Sequence, residues 1–175
     1  MKIFLVCGFT VTAAVDNDVW FYNSNGDVLA SSNDWTRTTV VDYGDSCVIP
    51  VKLRNENGPM GFILSTDHGF VSDSTWKCTE TEHADWFTLD FDDSTWEDAT
   101  LYGRHSDGPW NGNFGPDPIS TDALWIWTDS PETSDQTIYC RKNTCLSKSL
   151  RLAYAWNSFK RKAFKLNFSV LGLQG

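Results

Sequence analysis

A chain of 175 residues with 21% charged and 14% aromatic side chains has a globular composition, enough for one domain whose core needs no staple. Its net charge of −9 hides an asymmetry: residues 1–140 carry all 23 acidic groups and only six Lys or Arg, a net −17, whereas residues 141–175 carry eight Lys or Arg and no acid. An acidic body repels phosphate backbones, which sets nucleic acid aside as its partner, and no apolar run reaches the ~20 residues of a membrane-spanning helix.

The N-terminus supports two readings. Lys2 followed by Ile3-Phe4-Leu5-Val6-Cys7-Gly8-Phe9 has the form of a signal peptide, with Ala13 and Ala14 as small residues for cleavage. The other reading is a β-strand over residues 8–15. Strand signals then dominate. Val19-Trp20-Phe21-Tyr22 is an apolar, β-prone run, and Asn25-Gly26 before Val28-Leu29-Ala30 is a hairpin signal, because both turn residues tolerate positive φ. Residues 36–41 are β-branched and expected to be extended. Residues 47–54 end in alternation, with Val51 and Leu53 on one face and Lys52 and Arg54 on the other; Pro50 points to an edge or a bulge. Residues 55–59 make a turn and 60–64 the next strand. Further on, residues 123–128 form a strand expected to place Ala123, Trp125 and Trp127 on one face and Leu124 and Ile126 on the other. Residues 137–141 follow after an acidic turn.

Asp-Ser-Thr-Trp occurs twice, at 73–76 and 93–96. Asp and Ser cap turns with their own side chains, so each Trp is expected to swing back onto the sandwich as an anchor. Residues 103–120 are loop-like, rich in Gly, Pro, Asn and Asp, with Trp110 and Phe114 embedded; a connection of that length is usually functional or disordered. The segment from residue 143 alternates aromatic and aliphatic residues with Lys and Arg. It reads as a basic amphipathic segment docking on the acidic body or an anionic surface, or as an extension with no selected role. The five cysteines show no zinc-ligand spacing. In an oxidising compartment the first pairing expected is Cys78 with Cys140; the alternative is buried free thiols.

Trp76-Lys77-Cys78, Trp86, the run from Leu89 to Trp96, Ala99, Trp125-Ile126-Trp127 and Tyr139-Cys140-Arg141 follow one another in an order that resembles a galactose-binding-like jelly roll. Such domains are the sugar-binding modules of glycoside hydrolases and occur in extracellular invertebrate proteins. Thr12-Ala13-Ala14-Val15-Asp16-Asn17, Trp20-Phe21-Tyr22, Asn25-Gly26 and Asn57-Gly58-Pro59-Met60-Gly61 resemble the later half of that family, yet here they come first. The resemblance implies an all-β jelly-roll β-sandwich over residues 8–141, followed by a basic C-terminal tail at 142–175. It implies further that the chain is a circular permutant or is cut out of phase from a tandem array, which would leave two half-sandwiches to pair with each other.

The acidic cluster Asp90, Asp92, Asp93, Glu97 and Asp98 crowds one turn. Glycosidase chemistry needs two carboxyls about 5–10 Å apart across a cleft, so turn capping is the reading preferred and no catalytic residue is assigned. Asp16, Asn17 and Asp18 could contribute oxygens to a structural calcium ion; otherwise they are a solvated turn, and no metal ligand is assigned. Arg104, His105, Asp107, Trp110 and Asn111 form the candidate ligand site: a ring for the apolar face of a sugar and polar groups to read its hydroxyls. The competing reading folds Trp110 back over the open end of the sandwich. The expected function is non-catalytic glycan recognition by a secreted or extracellular module. The alternatives are a structural or adhesive module binding a cell-surface protein, and an accessory fragment of a glycoside hydrolase.

Overall fold

A computed structural model describes residues 8–107, 110–112, 117–130 and 135–144. Eleven strands run along this part of the chain: β1 (Thr10–Asp16), β2 (Asp18–Tyr22), β3 (Val28–Ser32), β4 (Thr39–Asp42), β5 (Val48–Glu56), β6 (Gly61–Thr66), β7 (Lys77–Thr79), β8 (Glu97–Asp98), β9 (Thr100–Arg104), β10 (Leu124–Trp127) and β11 (Asp135–Asn143). The described residues contain no helix. The strands form a five-stranded sheet ordered β4-β1-β6-β10-β9 and a six-stranded sheet ordered β3-β2-β5-β11-β7-β8. All strand pairs are antiparallel. The fold is an all-β sandwich.

The order within the sheets is informative. In both sheets the strands from β1 to β6 occupy one lateral half and those from β7 to β11 the other. The chain is therefore two half-sandwiches joined at two seams. The β5–β11 seam pairs nine residues on each side, from Asp135↔Glu56 to Asn143↔Val48. The β6–β10 seam has the single register pair Ile126↔Phe62.

Period-2 alternation builds the core. Val11, Ala13 and Val15 of β1 face inward, with Val19 and Phe21 of β2, Ile49, Val51 and Leu53 of β5, Phe62 and Leu64 of β6, and Ile138 and Cys140 of β11. Ala13 and Ala14 are both buried in β1, where the strand reading had placed them. Residues 1–7, the rest of the signal-peptide reading, lie outside the described residues. Cys78 on β7 is directly opposite Cys140 on β11, and the two are joined in a disulfide. Cys47 is disulfide-bonded as well.

Four expectations need correction. Pro50 marks neither an edge nor a bulge, since β5 lies between β2 and β11 and Pro50 pairs with Arg141 in regular register. Residues 36–38 are not strand: the extended segment starts at Thr39, because Asp34 draws the chain into a turn by accepting hydrogen bonds from the backbone N–H and hydroxyl of Thr36. Trp125 and Trp127 do not share a face. A register shift between Trp125 and Ile126 sends Ile126 and Trp127 into the inter-sheet core and Trp125, with Ala123, to the outer face of the five-stranded sheet. Residues 103–120 are also not loop from their start, since β9 runs to Arg104. Beyond these, β11 continues two residues past Arg141; the remainder of the basic tail, from 145 on, lies outside the described residues.

Of the twin Asp-Ser-Thr-Trp segments only the first caps its turn with the motif's own Asp. In the second, Asp92 caps and Asp93 pairs with Arg141, and the two Trp have opposite destinations. Asp73 accepts from the Thr75 N–H and hydroxyl, and Trp76 goes to the inter-sheet core edge-on to Phe62 at 5.8 Å. Trp96 goes to the outer face of the six-stranded sheet, in a cluster with Trp86, Tyr139, Tyr22, Phe87 and Phe91. Trp20, on the same face, lies outside that cluster.

Candidate functional site

Arg104, His105 and Asp107 form a turn at the end of β9, and a backbone hydrogen bond ties Asn111 to Asp107. The Arg104 N–H donates to Asp107 Oδ2 at 2.7 Å, the Asp107 N–H donates to the Arg104 carbonyl at 3.0 Å, and the Asn111 N–H donates to the Asp107 carbonyl at 3.2 Å. Asn111 and Gly112 adopt positive φ, and a Cβ at Gly112 would stand 2.8 Å from His105 Nδ1, so the imidazole lies against that glycine. Trp110 is turned away from this group. It is only 8% exposed, stacks on Trp125 with centroids 3.9 Å apart, and donates from Nε1 to Asp16 Oδ2 at 3.0 Å. Its ring is spent on the outer layer of the five-stranded sheet, together with Ala14, Ile63, Ile119 and Ala123. Phe114 lies outside the described residues.

The oxygens of Asp16 and Asn17 also hold protein donors. Asp16 Oδ1 accepts from Asn17 Nδ2 at 2.8 Å, and Asn17 Oδ1 accepts from the Glu56 N–H at 2.7 Å. Burial raises the Asp16 carboxyl above its ordinary value against the opposing pull of the Trp110 hydrogen bond. Among the described residues no three His, Cys, Asp or Glu side chains stand together as a metal cluster. The acidic turn at 90–98 is used structurally: Asp92 Oδ1 accepts from the Ser94 N–H, and Asp93 pairs with Arg141 at 2.6 Å.

A second group of aromatic and polar side chains lies elsewhere, on the outer face of the six-stranded sheet, with Trp20 half-buried and Tyr139 buried. Cross-strand register sets a row of outward side chains, Ser31, Trp20, Lys52, Tyr139 and Thr79, on β3, β2, β5, β11 and β7. The adjacent row is Asp18, Arg54 and Thr137. Beside Trp20 a pocket of about 270 Å³ is lined by Asp18, Trp20, Ser31, Ser32 and Asn33. Trp20 is half-buried and Ser31 and Asn33 are exposed. Ser32 Oγ accepts from the Asp34 N–H at 3.3 Å, while the side chains of Ser31 and Asn33 make no hydrogen bond to the described residues.

The surrounding charges are ordered. Arg54 Nη1 lies 2.7 Å from Glu56 and 3.7 Å from Asp18. Partial burial, then repulsion from Glu56, raises the Asp18 carboxyl, and Arg54 opposes both. Lys52 Nζ sits 5.7 Å from the Trp20 ring centre and 5.6 Å from that of Tyr139. The Tyr139 hydroxyl donates to Glu82 Oε2 at 2.8 Å; burial and then this carboxylate push the phenol up to about 12.

Alternation across residues 18–22 is the signal in the sequence for this face, since Val19 and Phe21 must point in and Asp18, Trp20 and Tyr22 out. The register that sets Lys52 and Ser31 on either side of Trp20 joins residues far apart in the chain, and no local pattern encodes it. Compared with protein-family models, curated proteins and solved structures, the chain finds no match.

Proposed function

We propose that this chain is a non-catalytic carbohydrate-recognition module of the galactose-binding-like jelly-roll kind, with its halves in permuted order, and that the sugar lies on Trp20. The observation that carries the reading is the pocket itself: an accessible indole at its wall, rimmed by the short polar side chains of Asp18, Ser31, Ser32 and Asn33. A pyranose presents an apolar C–H face to an aromatic ring and hydroxyls to its surroundings. Among the described residues the side chains of Ser31 and Asn33 make no hydrogen bond that would compete with a ligand. Binding without turnover agrees with the carboxylates present, since Asp18 and Glu56 share one guanidinium rather than flanking an open cleft. An extracellular setting agrees with the Cys78–Cys140 disulfide, because such bonds persist in oxidising compartments.

A second reading, a structural or adhesive module with a protein partner, draws on a different feature. β3 and β4 are the edge strands on the same side of the two sheets, and with the turn between them they expose Val28, Leu29, Trp35 and Val40. Exposed apolar edges invite partners.

The test is a glycan-array screen of the protein, run with calcium and again with chelator, alongside Trp20→Ala and Asn111→Ala. The expected result is selective binding that Trp20→Ala abolishes and Asn111→Ala leaves intact. Loss in Asn111→Ala alone would move the site to the turn after β9, and loss in chelator would add a metal. A folded protein that binds no glycan rejects the carbohydrate reading and leaves the exposed edge as the interaction surface.

A further inference from the structure

We infer that the Trp20 site takes an anionic sugar, one bearing a carboxylate or a sulfate, with the Lys52 ammonium as its counter-charge. The inference rests on the carbohydrate reading above and goes further by naming the ligand's charge.

In a body this acidic the expected fate of a cation is an ion pair. Among the described residues Arg37, Arg54, Lys77, Arg141 and Lys142 each lie within ion-pair distance of a carboxylate. Lys52 and Arg104 do not. Arg104 is exposed at the end of β9, where a solvated charge needs no explanation. Lys52 is half-buried in the middle of a sheet face; among the described residues its ammonium has no ion-pair or hydrogen-bond partner and lies near the Trp20 and Tyr139 rings.

The two rings fix the position of this ammonium without neutralising it, because a ring quadrupole attracts a cation but carries no net charge. Among the described residues none of the neighbouring carboxylates stands within ion-pair distance of Lys52. Asp18 and Glu56 flank Arg54, and Glu82 accepts the Tyr139 hydroxyl. A ligand bound against Trp20 therefore lies near an ammonium, itself over the ring, that no carboxylate among the described residues pairs. An ammonium held in place before the ligand arrives loses little freedom on pairing, and charge-assisted hydrogen bonds are the stronger kind. The plain alternative is that Lys52 only lays its aliphatic stem over the rings and keeps its head in water.

Acidic sugars and their neutral counterparts, matched in ring and linkage, separate the two. Binding is measured for the wild type, Lys52→Gln, Lys52→Arg and Trp20→Ala, with thermal melting to confirm that each is folded. The expected result is wild-type preference for the acidic sugar by about tenfold or more, the scale of a hydrogen bond to a charged group. Lys52→Gln should lose that preference while keeping its affinity for the neutral sugar, and Lys52→Arg should retain it. Added salt should weaken acidic-sugar binding by the wild type and leave Lys52→Gln unaffected. Equal binding of acidic and neutral sugars, or a preference that survives Lys52→Gln, overturns the inference while the carbohydrate reading stands. Absence of binding to either sugar overturns both.

Discussion

Arg141 shows how much one side chain does for this surface. It is 2% exposed, and its guanidinium donates to Asp93 Oδ2 at 2.6 Å and to the carbonyls of Thr88 and Phe91 at 2.6 and 3.0 Å. Burial lowers its pKa from the ordinary value and Asp93 opposes that shift. This one residue pins the segment at 88–93 to β11. Arg141→Met leaves two carbonyls and a carboxylate without their donor and should cost about 3 kcal/mol in urea unfolding. Arg141→Lys should recover only part of that, since one ammonium cannot reproduce the planar fork. On the opposite outer face the critical residue is Gly61. A Cβ there would lie 2.7 Å from Trp125 and 2.9 Å from Trp110, both of them buried, stacked rings. Gly61→Ala should therefore destabilise by about 1–3 kcal/mol. Trp110→Ala should cost about 3–5 kcal/mol, which makes it a stability variant before it is a binding variant. The sequence around Trp110 reads as loop because its neighbours are Gly, Pro and Asn. What draws the ring inward is Trp125 and the carboxylate of Asp16, 94 residues away in the chain, and no local pattern carries that.

At the scale of elements, the strands that alternate strongly were the ones open to sequence reading. β2 and β5 place apolar residues at alternate positions that the core uses, β6 is an apolar run buried at every position, and β11 sends Ile138 and Cys140 inward. The short strands β7, β8 and β9 could not be read as such, because Lys77–Thr79 and Glu97–Asp98 have no alternation to display and are strands only by pairing with β11 and with each other. The bulge in β10 was invisible for a related reason, since it depends on the partner strand β9. The Cys78–Cys140 pair was anticipated, and its consequence can be measured. It closes a separation of 62 residues across the β7–β11 pair. Chain entropy alone gives such a cross-link about 4 kcal/mol. The double variant Cys78→Ala/Cys140→Ala should lower the urea midpoint accordingly without changing glycan binding, because the bond faces the core and Trp20 the opposite side of the sheet.

At the scale of the whole molecule, each half of the chain supplies one side of both sheets, β1 to β6 on one side and β7 to β11 on the other. Which part of each outer surface stays uncovered is not legible in the sequence, because it depends on where the chain's own loops pack. The all-β body also gives a pH dependence. Burial raises Tyr22, Tyr43 and Tyr139 above the ordinary phenol value, Tyr139 to about 12. An unfolded chain loses these protons near pH 10, so between pH 10 and 12 the native state binds more protons than the unfolded one. Stability should be unaffected by these groups below pH 10 and should fall as pH rises through that window. Urea midpoints measured against pH, with phenolate absorbance recorded in parallel, check this; a flat profile from pH 9 to 12 would contradict it.

The central claim is that a sugar lies against Trp20, and oxidative footprinting of the tryptophans with and without the tightest array glycan tests it most directly. Trp20 is half-buried at the pocket and Trp35 is 49% exposed in the neighbouring turn, so Trp35 serves as the internal control. The account predicts protection of Trp20 by the glycan and an unchanged oxidation rate at Trp35. Unchanged oxidation of Trp20 in the presence of a bound glycan would contradict it.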